Sequence, residues 1–436
     1  MSKLLRAALV ACALAAGTAP ALPAARELAS AEELVAANGG VYRDAELAGY
    51  LRTVGMRLVR AAGQPAAGWS FAVLDTPETN AFALPGGRIF VTRGMLALVG
   101  DEAELAAVLG HEIGHALAGD GRVPGSDRAR RAAEVAADRT GLTLLVRAGY
   151  DPGAQADVLA TLLAARAVEM RLQGGEPAPA ARDHPALGDR LQAARREAGA
   201  EAGSGQRNRG AYLAAIDGMT WGDGPAQGYM RGRSFVHPDL RFAFEPPRGY
   251  AVSNLPDVVV ASGPGGALLL MDSIADPGGS PADYLVRAWV PDIARGIRAG
   301  RLAGPRQGKL NGLPVAQGSL VMASDGSERV AELTVVRLGG RLYRLTGLHR
   351  PGDRAGQAAL EAAARSFRPL SKAEAARMAP LRLRIHRVAP GENVAGLAAS
   401  MPVAPAAAAR ARFDVMNGLA AGGRLRAGAL VKIVAE

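Results

Sequence analysis

The stretch VLGHEIGHALAGD, Val108–Asp120, constrains the fold more than any other part of the chain. In a helix, residues i and i+4 lie on one face a turn apart, so His111 and His115 direct ring nitrogens toward one point, with Glu112 beside it. Two imidazoles converging in this way suit a single divalent cation, and a catalytic zinc centre needs a third protein ligand and one open position. The plain alternative is a pair of hydrogen-bonded histidines on an ordinary buried helix. The helix is expected to begin at Asp101, which can cap it while Glu104 reaches back in a capping box, and to run to Gly121.

A further helix, expected over roughly 128–148, carries AAEVAADRTGLTLL. Glu134 and Asp138 are again four apart there. Glu134 can close the ligand set, while Asp138, one turn on, can accept a hydrogen bond from the far nitrogen of His111 and fix its tautomer. A solvated carboxylate face balanced by Arg130, Arg131 and Arg139 is the plain alternative. The continuation that would place Gly at 118 and His at 121 fails, since the chain has Ala118 and Gly121. Gly114, inside the motif, is expected to allow close helix packing. Upstream, residues 43–62 put Leu47, Tyr50, Leu51, Val54 and Leu58 on one helical face, and GWSFAVLD reads as a strand. In NAFALPGGRIFVTRGML, Pro85-Gly86-Gly87 makes a turn and RIFVT a strand. Ile89, Phe90 and Val91 of that strand are expected to offer an edge on which an extended peptide pairs.

NAFALPGGRIFVTRGML, DEAELAAVLGHEIGHALAGD and EVAAD, in that order, resemble the HExxH zinc metallopeptidase family of CAAX prenyl protease 1, HtpX and periplasmic BepA, over about residues 40–195. The resemblance implies a mostly helical zincin-type domain that holds one Zn2+ through His111, His115 and Glu134. It implies Glu112 as the general base of peptide-bond hydrolysis by a zinc-activated water. That family also carries a His-Pro dipeptide followed by an Arg, which DHPALGDRL matches. His184 and Arg190 are therefore candidates to stabilise the oxyanion, and a rival role for His184 is to occupy the open metal position. The substrates implied are misfolded or unassembled envelope polypeptides. A competing class is a cell-wall-associated binding or chaperone protein, and an aminopeptidase is a third.

Lys3 and Arg6, an apolar run and small residues around Ala19-Pro20-Ala21 read as a signal peptide over 1–25, too short to cross ~30 Å of hydrocarbon. Leu9-Val10-Ala11-Cys12 also resembles a lipoprotein processing box, although few apolar residues precede it. Cys12 is the only cysteine, so the mature chain is expected to lack disulfides; with that signal it is expected to be exported to a bacterial periplasm or cell envelope, peripheral to the outer membrane, with no transmembrane segment. The formal charge of +10 comes from Arg scattered among Ala and Gly, with no basic stripe and no interleaved aromatics, which argues against nucleic acid.

A hydrophobic share of 49% against 21% charged residues allows large buried cores. The fold class expected is α+β. A metalloprotease domain (26–200) is followed by a Gly- and Arg-rich linker (201–232), then an α+β domain of mainly antiparallel strands (233–370) with helices near 282–298 and 356–366. Residues 383–436 carry VAPGENV, NGL and LRAGALVKI and resemble a LysM-type βααβ module, which implies binding to N-acetylglucosamine glycans of peptidoglycan. His237, His349 and His386 read as structural.

Overall fold

The computed structural model describes residues 31–119, 126–173, 187–295, 298–300, 302–324, 327–403, 408–419 and 423–436. The expected signal peptide lies outside them. The described residues form two compact units: Gly224–Ala379, and a discontinuous unit made from residues 31–223 together with Pro380–Glu436.

In the discontinuous unit, α1 (Ala45–Ala61) starts at Asp44, whose carboxylate accepts the Leu47 N–H, and it buries Leu47, Leu51, Val54 and Leu58. Strands β1 (Ser70–Leu74), β2 (Ala81–Leu84) and β3 (Arg88–Thr92) form a sheet of order β1-β3-β2. Gly86 and Gly87 turn the hairpin with φ of 85° and 74°, a region costly for other residues. β3 is parallel to β1 and antiparallel to β2. This corrects the expectation that Ile89, Phe90 and Val91 form an edge. RIFVT is the central strand, with ladders on both sides and Ile89 and Val91 in the core. The central position leaves β3 the most buried of the three strands, and the open edge falls to β2.

The helices that follow are α2 (Arg93–Leu98), α3 (Glu102–Ala118), α4 (Asp127–Arg147), α5 (Gly153–Gln173) and α6 (Leu187–Ala198). Asp101 caps α3 by accepting the Glu104 N–H. Glu104 reaches back one residue beyond the box, to the Gly100 N–H. The helix stops at Gly119, φ 71°, short of the expected Gly121. α3 and α4 pack closely because glycines face the contact. A Cβ on Gly114 would lie 3.0 Å from Ala137 Cα, and one on Gly141 would lie 3.0 Å from the His111 backbone nitrogen.

The expected linker at 201–232 instead holds α7 (Arg209–Ile216), with Tyr212, Leu213 and Ile216 fully buried and the Tyr212 hydroxyl donating to the Leu96 carbonyl. Its Gly- and Arg-rich flanks mask a short apolar face. The terminal block runs β4 (Arg382–Arg387), α8 (Val394–Ser400), α9 (Ala409–Met416), β5 (Leu430–Ala435), with β4 and β5 antiparallel. Its Leu383, Leu397, Phe413 and Val431 share one core with Leu51, Leu96 and Leu105, so it packs as part of this unit.

The unit Gly224–Ala379 is α+β. Its eight-stranded antiparallel sheet includes Leu313–Ser324, Ser327–Leu338, Arg341–His349 and Leu268–Ala275 as neighbours in that order, and a four-stranded sheet accompanies it. Leu285 and Trp289 pack on one set of core residues, and Leu360 and Phe367 on another. Among the described residues no helix is long and apolar enough to cross a membrane.

Candidate metal centre

α3 and α4 bring three side chains to one place. The Nε2 atoms of His111 and His115 face each other at 3.1 Å, and the Glu134 carboxylate lies 3.5 Å from each through its two oxygens. One ligand atom from each of the three lies within 4.8 Å of the others. A tetrahedral zinc with bonds of ~2.0–2.1 Å keeps its ligand atoms roughly 3.3 Å apart, so this N, N, O set fits the ion. All three side chains are mostly buried.

Behind the ligands lies a second layer. Asp138 Oδ1 sits 2.9 Å from His111 Nδ1, which turns Nε2 toward His115 and Glu134. The Asp138 carboxylate also accepts two hydrogen bonds from the Arg190 guanidinium, both 2.7 Å, and Glu134 accepts a third from it, also 2.7 Å. Burial would lift the Asp138 pKa, but His111 and Arg190 hold it below the usual range. Burial pulls the other way on His111, and its bonds to Asp138 and Glu134 overcome that and push the imidazolium up to about 9. The guanidinium fork is thus turned onto the two carboxylates, and Arg190 also lines the cleft that holds His111 and Glu112. His184 lies outside the described residues.

Glu112, 4% exposed, lines the same cleft as His111. The opposite wall comes from α5, with Val158, Leu159 and Leu162, and the floor from Glu78–Ala81 at the start of β2. Sequence reading assigned no role to α5, although VLATLL carries an apolar face. Asn80 and Thr92 are paired through the Thr92 N–H, so by alternation the backbone groups of Ala81 and Ala83 point to the open edge of β2. The remaining histidines sit elsewhere: His349 bonds the Arg350 carbonyl and Glu332, His386 bonds Glu392, and burial pushes His237 down to about 4.

The family model described as Peptidase family M48 matches residues 45–127. The chain resembles the HExxH zinc metallopeptidases of that family. Metalloendopeptidase OMA1, mitochondrial, of Danio rerio is 53% identical over 51 residues, which are 12% of this chain and 11% of that protein. The putative beta-barrel assembly-enhancing protease of Vibrio cholerae is 28% identical over 203 residues, 37% of this chain and 41% of its own. The beta-barrel assembly-enhancing protease of Escherichia coli is 35% identical over 72 residues, 16% and 15% of the two chains. In each case the chain spans less than half of the relative's length. Among solved structures, cyanobacterial PsbP from Synechocystis is similar over 33% of this chain and 98% of its own, at 17% identity and a TM-score of 0.26, too low to carry an argument.

Proposed function

We propose that the chain is a zinc metalloendopeptidase that cuts misfolded or unassembled polypeptides of the bacterial envelope. The observation that carries this reading is the meeting of His111, His115 and Glu134 beside Glu112 in an open cleft. When bound, zinc supplies Lewis acidity that acidifies a coordinated water and polarises the scissile carbonyl. Glu112 takes the proton of the attacking water and returns it to the leaving amine. Asp138 holds the His111 ring in the tautomer that presents Nε2, and Arg190 fixes the positions of Glu134 and Asp138. His184 keeps two proposed roles, at the oxyanion or at the open metal position.

The edge of β2 supports an unfolded substrate, because only an extended chain can add as a further strand beside Ala81 and Ala83. The beta-barrel assembly-enhancing relatives and the signal-like residues 1–25 support a periplasmic site of action. Peptidoglycan remains a proposed partner of 383–436 through its LysM-like order of elements. That order also favours the second reading, a wall-associated binding or chaperone protein with little or no peptidase activity.

The deciding experiment measures metal content and cleavage of casein by the purified protein, with and without chelator. The peptidase reading expects one zinc per chain and chelator-sensitive internal cuts. Glu112→Gln should keep its zinc and lose cleavage by ~10²–10⁴-fold. A zinc-loaded wild type that cuts nothing would leave the binding-protein reading.

A further inference from the structure

A second cavity adjoins the cleft, and its walls share Thr79, Ala165 and Glu169 with it. The rest of its lining is largely apolar: Ala97 and Leu98 from α2, Val168 from α5, Trp221, and Val415 and Met416 from α9 of the terminal block. From these features, which rest on the peptidase reading above, we infer that this cavity is a substrate subsite. It takes a large aliphatic or aromatic side chain of the extended polypeptide, and the terminal βααβ block supplies one wall of it through Arg412, Val415 and Met416.

Three sets of bonds make the cavity a preformed pocket rather than a loose gap between elements. The Lys432 ammonium, fully buried on β5, donates to the carbonyls of Ala97, Leu98 and Val99 at 2.8, 3.1 and 2.7 Å, locking β5 to the end of α2. The Asn417 side chain, at the end of α9, bonds the Lys432 backbone in both directions, at 2.9 and 2.7 Å, so α9 is carried along. Arg93, at the start of α2, bonds the carbonyls of Thr220 and Gly222 and so fixes Trp221 between them. Pockets of this kind, apolar with fixed walls, bind because little ordering is left to do on binding. Thr79, two residues before β2, lines both the cleft and this cavity, so a peptide strand on the β2 edge would pass from one to the other there, and Glu169 and Arg412 add charged groups to the lining. The chemistry selects for exposed large apolar side chains, the feature that separates unfolded chains from folded ones.

The test compares wild type with Val415→Trp, which fills the cavity, and Val415→Ala, which enlarges it. Casein cleavage sites are mapped by mass spectrometry, and binding of fluorescein-labelled casein peptides is followed by anisotropy on the zinc-free proteins. Val415→Trp should lose cleavage and binding of peptides with a large apolar residue by about tenfold or more, the scale of a mismatched apolar pocket. Val415→Ala, the milder change, should shift preference from Leu toward Phe and Trp. Unchanged site preferences and affinities across all three proteins would overturn the inference, and so would competition for the cavity by N-acetylglucosamine oligomers rather than by peptides. If the zinc-loaded wild type cuts nothing, the peptidase reading fails, while the anisotropy series still decides whether the cavity takes apolar side chains.

Discussion

Arg190 shows how one side chain can set a centre that it does not enter. Its fork neutralises two carboxylates four residues apart on α4, so Glu134 is held with one oxygen toward each histidine and Asp138 with one oxygen on His111. A lysine keeps the charge and loses the planar geometry. Arg190→Lys should therefore weaken zinc affinity by roughly 10–100-fold while leaving the folded protein intact, as read by competition with a chromophoric chelator. An unaltered affinity would show that Glu134 and Asp138 are held by the helix alone. The Arg190 contacts could not be foreseen from DHPALGDRL, because nothing in that string says which way the guanidinium turns.

At the scale of elements, the proposed capture of substrate rests on the open edge of β2. Ala83 directs its N–H to that edge, so Ala83→Pro removes an outward donor and leaves the β2–β3 ladder in place. The expected result is wild-type zinc content and melting temperature with cleavage of casein reduced several-fold. A full loss of folding would mean that the Ala83 N–H bonds within the sheet instead of facing outward. Helix α3 was legible from its motif and cap, since the i, i+4 spacing of His111 and His115 is a local property. The order β1-β3-β2 was not legible. Which of three short strands lies in the middle depends on ladders between residues far apart in sequence, and RIFVT looks equally like an edge or a centre until β1 is seen beside it.

On the scale of the whole molecule, Gly224–Ala379 is an insertion. The chain leaves the discontinuous unit and returns to it at adjacent backbone: the Trp221 N–H bonds the Leu381 carbonyl at 2.8 Å, and Gly218 and Met219 bond Leu383 on either side. Replacing 224–379 by a short Gly-Ser linker should leave a folded, zinc-binding protein by circular dichroism and metal analysis, whereas truncation after Ala379 should yield an aggregated one, because it strips α9 and β5 from the shared core. Lys432→Met should cost about 1–3 kcal/mol, since buried carbonyls of α2 lose their donor, and lower the melting temperature by several degrees. Burial pushes the Lys432 ammonium down to about 7. A base with a lowered folded pKa binds its proton better when unfolded, so this group adds stability as pH rises from about 7 toward the ordinary lysine range, and Lys432→Met should lack that rise.

Sequence by itself determined what repeats over a few residues. The spacing of His111, His115, Glu134 and Asp138 follows from helix geometry, and the alternating runs of 233–370 follow from the pleat of a strand. Tertiary structure decided which elements meet. It merged the terminal block with the unit that carries His111, His115 and Glu134, filled the supposed linker with a buried helix, and turned Arg190 onto the two carboxylates. Each of these rests on burial of apolar surface and pairing of charge between residues distant along the chain, which local pattern does not encode.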